Sequence, residues 1–259
     1  MSLANKKLST TYGSILNVDN ANTGVTSSLQ TIKDGVGNTT AVRVSDRSCV
    51  VRPGTNSTSS FLVENAAGDD ILVVDSTNAD VKVNGVYVNT SVHKFGIMDM
   101  SVTSGYHYAM MSGNAMQYDL GDDMSVFGLA NGTDPSTSVA LSSDAKFKNL
   151  CYWYISSKIK IDQVHYMAST DSSATINFHL MSYAMATGSG SDAGDLTDGS
   201  VVASTGVITT GDDRISNGTF TISGTQTANA GRVILCVVEE SDGSDDITAS
   251  VSVKYHYVQ

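Results

Sequence analysis

The residues best suited to chemistry in this chain are five histidines, several clustered aspartates, many serines and three cysteines. A catalytic imidazole needs a neighbouring nucleophile or carboxylate, and a metal-bound one needs further ligands at close spacing. His93, His107, His165, His179 and His256 have no second histidine or carboxylate at ligand spacing on their own strands. His165 and His256 adjoin tyrosines, as on an ordinary sheet face. The acidic clusters are Asp69-Asp70, Asp122-Asp123, Asp192/Asp195/Asp198, Asp212-Asp213 and Asp242/Asp245/Asp246. Loop carboxylates can hold calcium, but none of these follows the ligand order of an EF-hand. Glycoside hydrolysis needs two carboxyls about 5–10 Å apart across a groove, a placement that spacing alone does not give, so the clusters read as solvated loops.

Other nucleophiles fare no better. The serine-rich stretch "ATGSGSDAGD" misses the G-x-S-x-G elbow, and Gly188, Gly190 and Gly194 miss the dinucleotide spacing. Cys49, Cys151 and Cys236 are an odd, widely spaced set with no C-x-x-C, which excludes a disulfide framework and a zinc knuckle. Cys151 and Cys236 lie in the apolar runs "NLCYWYIS" and "RVILCVVEE" and read as core thiols. The expectation is a protein with no catalytic residues, metal or cofactor, and hence not an enzyme.

The elements that would position these residues are strands. Of 259 residues 41% are hydrophobic and only 16% charged, with two prolines. Serine, threonine, valine and glycine dominate, a composition suited to pleated strands and tight turns rather than surface helices. A net charge of −11 with 15 basic residues supplies no Lys/Arg stripe for a phosphate backbone, so nucleic acid is excluded as a partner. No apolar run approaches membrane-spanning length and the first residues lack a signal-peptide core, so membrane insertion is not expected. Synthesis and release in a cytoplasm are expected, and the sequons at Asn38, Asn56, Asn89, Asn131 and Asn217 read as accidents of composition.

Three segments follow. Residues 1–28 are polar and irregular, an extended N-terminal arm. Residues 29–91 break into strands of four to six residues separated by turn signals such as Gly35-Val36-Gly37-Asn38, Pro53-Gly54 and Asn84-Gly85. A slide of about 31 residues pairs Ile32 with Val63, Gly37 with Gly68, Val42 with Val73, Ser45 with Ser76, Val50 with Val81 and Gly54 with Gly85. Such units bury their apolar side against neighbours, and two copies are too few to close a core, which points to neighbours from other chains. Residues 92–259 carry longer alternating strands. In "DITASVSVKYHYVQ", Ile247, Ala249, Val251, Val253, Tyr255 and Tyr257 face one way, and Thr248, Ser250, Ser252, Lys254 and His256 the other. "ISNGTFTIS" alternates likewise, and the continuously apolar "RVILCVVEE" predicts a central strand covered on both faces. The expected fold is all-β: a short repetitive β stalk (trimeric, β-prism-like) followed by a jelly-roll-like β-sandwich. Its loops at 187–199 and 241–246 are the expected contact edges.

The texts "IKDGVGNTTAVRVS" and "LVVDSTNADVKVNG" resemble the repetitive β text of tailed-bacteriophage virion appendages, tail fibres and head fibres, over about residues 10–90. The resemblance implies a homotrimeric stalk carrying a globular tip, with no catalytic residues. It implies partners among other virion proteins of tail or capsid, a host-surface glycan or receptor at the tip, and a place in the virion after assembly in the host cytoplasm. Two alternatives stand beside this short fibre: a capsid decoration or cement protein, and a polysaccharide-binding or -degrading tailspike. Trp153, the single tryptophan, lies in an apolar strand and reads as core rather than as a sugar platform.

Overall fold

The computed structural model describes residues 16–19, 23–113, 134–140, 149–187, 193–211, 214–224, 226–241 and 246–258. The protein is all-β; among the described residues the one helical element is a 3-10 turn at Asn149–Cys151. The chain divides between Val88 and Asn89 into two compact units.

The first unit holds two sheets, each of four strands in chain order. One contains β1 (Asn17–Val18), β2 (Gln30–Lys33), β3 (Thr39–Val44) and β4 (Cys49–Val51). The other contains β5 (Phe61–Glu64), β6 (Asp70–Asp75), β7 (Asp80–Val83) and β8 (Val86–Tyr87). β1 lies within the segment expected as an irregular arm, because Asn17 and Val18 pair with Lys33 and Ile32. The repeat is structural. β2 and β3 match β5 and β6 end for end at a spacing of 31 residues. Their turns are built alike. Asp34 Oδ1 accepts from the amides of Val36 (3.0 Å) and Asn38 (2.8 Å), and Asn65 Oδ1 accepts from those of Ala67 (2.8 Å) and Asp69 (2.9 Å). The side-chain bond that closes each turn runs from Asn38 to Asp34 in one and from Asn65 to Asp69 in the other. Gly37 (φ 98°) and Gly68 (φ 89°) supply the left-handed residue that this turn requires. The amide of Asn38 holds the Asp34 carboxyl below the ordinary carboxylate range.

Pairing fixes which side chains share a face. Phe61 pairs with Val74, Val63 with Leu72, Leu72 with Val83 and Val74 with Val81, so six apolar side chains line one face of the second sheet. The described residues of the unit cover them only in part: Leu72, Val74 and Val81 are half-buried, and Phe61, Val63 and Val83 are exposed. Among its described residues only Asp75 is buried, and Phe61 and Val83 are each 43% exposed.

The second unit is a jelly roll. Its strands are β9 (Thr90–Ser101), β10 (Tyr108–Ala109), β11 (Met111–Ser112), β12 (Trp153–Tyr154), β13 (Ile159–Thr170), β14 (Thr175–Met185), β15 (Leu196–Thr209), β16 (Ser216–Thr219), β17 (Thr221–Ile222), β18 (Thr227–Ala228), β19 (Arg232–Glu240) and β20 (Asp246–Tyr257). One sheet runs β9-β20-β13-β16 and the other β10-β19-β14-β15. Numbered one to eight along the chain, those orders are 1-8-3-6 and 2-7-4-5, the double Greek key of a jelly roll. Two of the eight positions are broken. β10 and β12 pair with opposite halves of β19, and β16 and β18 with opposite halves of β13. The alternating "ISNGTFTIS" is therefore two strands: β16 pairs with β13, the chain crosses over buried Phe220, and β17 pairs with β15 in the other sheet. Strands that switch sheets in this way make the corners of a sandwich. The boundary expected after residue 91 falls inside β9.

The space between the sheets is filled by Phe95, Ile97, Ile161, Tyr166, Phe178, Leu180, Cys236, Val251 and their neighbours. β19 is buried along nearly its whole length, since its other face carries Val233, Leu235 and Val237 under Val139 and Cys151. The predicted alternation of β20 holds from Ile247 to Tyr255 and then fails. His256 is buried (1%) and Tyr257 is 44% exposed. Beside it β13 is irregular between Ile161 and Gln163, and Asp162 Oδ1 lies 2.8 Å from His256 Nδ1. Phe178 is fully buried, its ring 5.7 Å from that of Tyr166 and 6.0 Å from that of Phe220. Phe178→Ala should cost about 3–5 kcal/mol of unfolding free energy, measured by urea denaturation.

Candidate functional site

The strand directions sort the loops of the jelly roll into two ends. β9 carries the chain from Thr90 to Ser101, twelve residues or about 40 Å of extended chain. At the end it reaches lie residues 102–107, 171–174, 210–211, 214–215 and Ser241. Short polar contacts tie them together. Ser104 Oγ donates to the Ser241 carbonyl (2.6 Å), the Ser241 amide to the Thr175 carbonyl (2.9 Å) and the Asp246 amide to Asp171 Oδ1 (3.0 Å). The Thr170 and Thr210 hydroxyls are 2.7 Å apart, and the Thr210 amide donates to the Ala174 carbonyl at 2.9 Å. Loops braced on one another by their own backbone can present side chains without first being ordered, which lowers the entropic cost of binding. Beside this end, on the solvent face of the first sheet, a depression of about 210 Å³ is lined by Met167, Ser169, Ile215, Thr248 and Ser250. Met167 (52% exposed) and Ile215 (67%) give it an apolar floor inside a rim of hydroxyls.

The two contact edges expected from the sequence are at opposite ends. Ser241 touches the start of β14, whereas the 187–199 stretch follows the end of β14, eleven residues away. At this second end Arg232 holds the chain. Its guanidinium donates to Asp198 Oδ2 (2.9 Å), to the Asp198 carbonyl (2.7 Å) and to the Ser182 carbonyl (2.8 Å). Gly199 has no room for a side chain, because a β-carbon there would stand 2.9 Å from the Thr137 α-carbon and nearer still to the Tyr183 ring. Residues 188–192 and 242–245 of these edges, and with them Asp192, Asp242 and Asp245, lie outside the described residues. So do Asp122, Asp123, Asp212 and Asp213.

Three histidines have carboxylate partners that strand spacing did not reveal. Besides His256 with Asp162, His107 Nε2 lies 3.2 Å from Glu239 Oε2, with both side chains buried, and His179 Nε2 lies 3.7 Å from Asp134. The His107 and His179 rings are 5.3 Å apart on the outer face of the β19–β14 sheet. Burial lowers the His179 pKa and the Asp134 charge opposes that shift. Among the described residues no group of three or more histidine, cysteine, aspartate or glutamate side chains converges to hold a metal. Cys151 and Cys236 are buried and Cys49 is exposed. Burial pushes the Cys151 thiol up to about 12 and raises that of Cys236, so neither yields a thiolate at neutral pH.

Trp153 is boxed in. His93 stacks on its ring at 4.2 Å and 2°, and Tyr255 tilts against it at 4.9 Å. With His93 on its face it is part of the packing rather than an open sugar platform. Burial lowers the His93 pKa to about 4, while the imidazole keeps a 2.9 Å contact to the Ser112 hydroxyl. A histidine held neutral in the fold adds no penalty above its ordinary pKa of 6.5 and opposes folding increasingly as pH falls from there towards 4. The urea midpoint should therefore drop between pH 7 and pH 4.5, and His93→Gln should make that drop shallower.

No protein-family model matches the chain, and no curated protein matches it. Among solved structures the chain is similar to that of the infectious bursal disease virus Gx strain, at 13% identity and a TM-score of 0.26, over 69% of this chain and 39% of that one. It is similar also to the T13 particle of the same virus, at 13% identity and a TM-score of 0.19, over 69% of this chain and 42% of that one. The chain thus spans about two fifths of the length of those viral chains.

Proposed function

We propose that this protein is a structural component of a virion: a short homotrimeric fibre of a tailed bacteriophage, attached by its N-terminal part and touching the host surface through its jelly roll. The observation that carries this reading is the first unit's want of a core. A duplicated three-strand motif leaves Phe61, Val63 and Val83 exposed and Leu72, Val74 and Val81 half-buried along one face, and no apolar side chain described before Asn89 is buried. A half-exposed apolar side chain still gains roughly 1 kcal/mol on full burial, so six of them on each of three chains supply a substantial driving force for association. Repetition of one small motif, the turn residues and the exposed faces all suit a stalk built by several chains. The jelly roll is self-sufficient by contrast, and its braced loops and the Met167–Ile215 depression suit recognition. The contact edge assigned to the tip is the end bearing 241–246, since the chain enters the sandwich at the other.

The assembly test is direct. Light scattering at micromolar concentration should give a trimer, and a well-behaved monomer of 27.2 kDa would overturn the reading. Val74→Asp or Val83→Asp would bury an unpaired carboxylate, a penalty of about 3 kcal/mol or more, and should weaken the trimer at least a hundredfold. Trp153 emission, which reports the sandwich alone, should stay unchanged.

The proposed fibre has no hydrolase activity. Purified protein should release no reducing sugar from capsular or cell-wall polysaccharide; release abolished by a single Asp or Glu substitution would favour the tailspike alternative.

A further inference from the structure

The two copies of the repeat differ most in charge at matching places. In the first copy Arg43 pairs across with Val50 and Thr31, and the Arg52 amide donates to the Ala41 carbonyl, which puts both arginines on one face of neighbouring strands. Diagonal neighbours of this kind stand about 7–8 Å apart. They line a concavity of about 310 Å³ with Thr31, Thr39 and Ala41. Neither guanidinium has an ion pair among the described residues, although Lys33, Arg47 and Arg232 each have an aspartate. Arg43 Nε is buried without a hydrogen-bond partner, and its Nη2 reaches only the Leu29 carbonyl at 3.5 Å. The second copy has the converse. Glu64 and Asp70 are paired across β5 and β6, just past an irregularity between Val63 and Glu64, and both are exposed. Like charges set opposite each other on a sheet are destabilising, and neither carboxylate has an ion pair among the described residues.

We propose that these two sites are complementary halves of one interface: the Arg43/Arg52 pair of one copy receives the Glu64/Asp70 carboxylates of a second copy of this chain. Two planar guanidiniums beside threonine hydroxyls suit paired carboxylates, since arginine donates in a fixed fork that matches a carboxylate's two oxygens. In a chain of net charge −11, where acids outnumber bases, two adjacent unpaired arginines call for a counter-charge, and the matching repeat carries one. The contact joins unlike patches, first repeat to second, so it is head to tail and closes into a ring when the rotation between chains allows. It rests on the proposed oligomeric stalk and adds what sets its register: apolar side chains drive association without direction, and the charge pairs choose which repeat meets which.

The test uses the full-length chain with two charge-reversed variants, Arg43→Glu with Arg52→Glu and Glu64→Arg with Asp70→Arg, and a third variant carrying all four substitutions. Oligomeric state is followed by sedimentation against concentration, with Trp153 emission confirming that the jelly roll is folded. Each double variant should dissociate at concentrations at least about tenfold above the wild type, and the four-substitution variant should regain wild-type association. Double variants that assemble like the wild type would overturn this pairing and leave the oligomeric stalk standing. A four-substitution variant no stronger than the doubles would also overturn it. A wild type that stays monomeric would overturn both.

Discussion

A β-strand has two edges and two faces, and every one of them must be satisfied by something. The jelly roll meets this demand internally. Its two sheets press Phe95, Tyr166, Phe178 and Val251 against one another, and Val139 and Cys151 cover the back of β19. The first unit meets it less fully: its two meanders are hydrogen-bonded within themselves, and among its described residues only Asp75 is buried. That contrast is the basis of the functional reading. One unit encloses an apolar core, and the other buries no apolar side chain among its described residues.

Much of this architecture was legible in the residues. Glycines 31 positions apart marked the repeat because only a left-handed residue fits the turn that Asp34 and Asn65 build, so two matching turns had to keep two matching glycines. The alternation of "DITASVSVKYHYVQ" marked a half-buried strand, and the unbroken "RVILCVVEE" marked a strand covered on both faces. The misses share a cause. His107 meets Glu239, and Asp162 meets His256, across strands far apart in the chain; local spacing holds no trace of such pairs. Nor could the pattern of "ISNGTFTIS" show that its two halves belong to different sheets, since alternation is the same on either side of a corner. The two candidate loops looked equivalent as text, and only the direction of β14 sends them to opposite ends.

The repeats also show how a duplicated motif diverges. The turn chemistry survives an exchange of partners, with aspartate accepting and asparagine closing in one copy and the reverse in the other. The faces did not survive. Where the second copy presents Leu72, Val74 and Val83, the first presents Ala41, Arg43 and Arg52, while its valines 42, 44 and 51 occupy the other side. The backbone plan tolerates this exchange because pairing registers between the last two strands of each copy are unchanged.

The first and last strands of the jelly roll are neighbours: Thr90 pairs with His256, and ten such pairs join β9 to β20. Sheet closure therefore spans nearly the whole unit, a contact pattern that slows folding. A ribosome delivering this chain makes β9 well before β20, so β9 waits through the synthesis of the other strands of the jelly roll before its partner arrives.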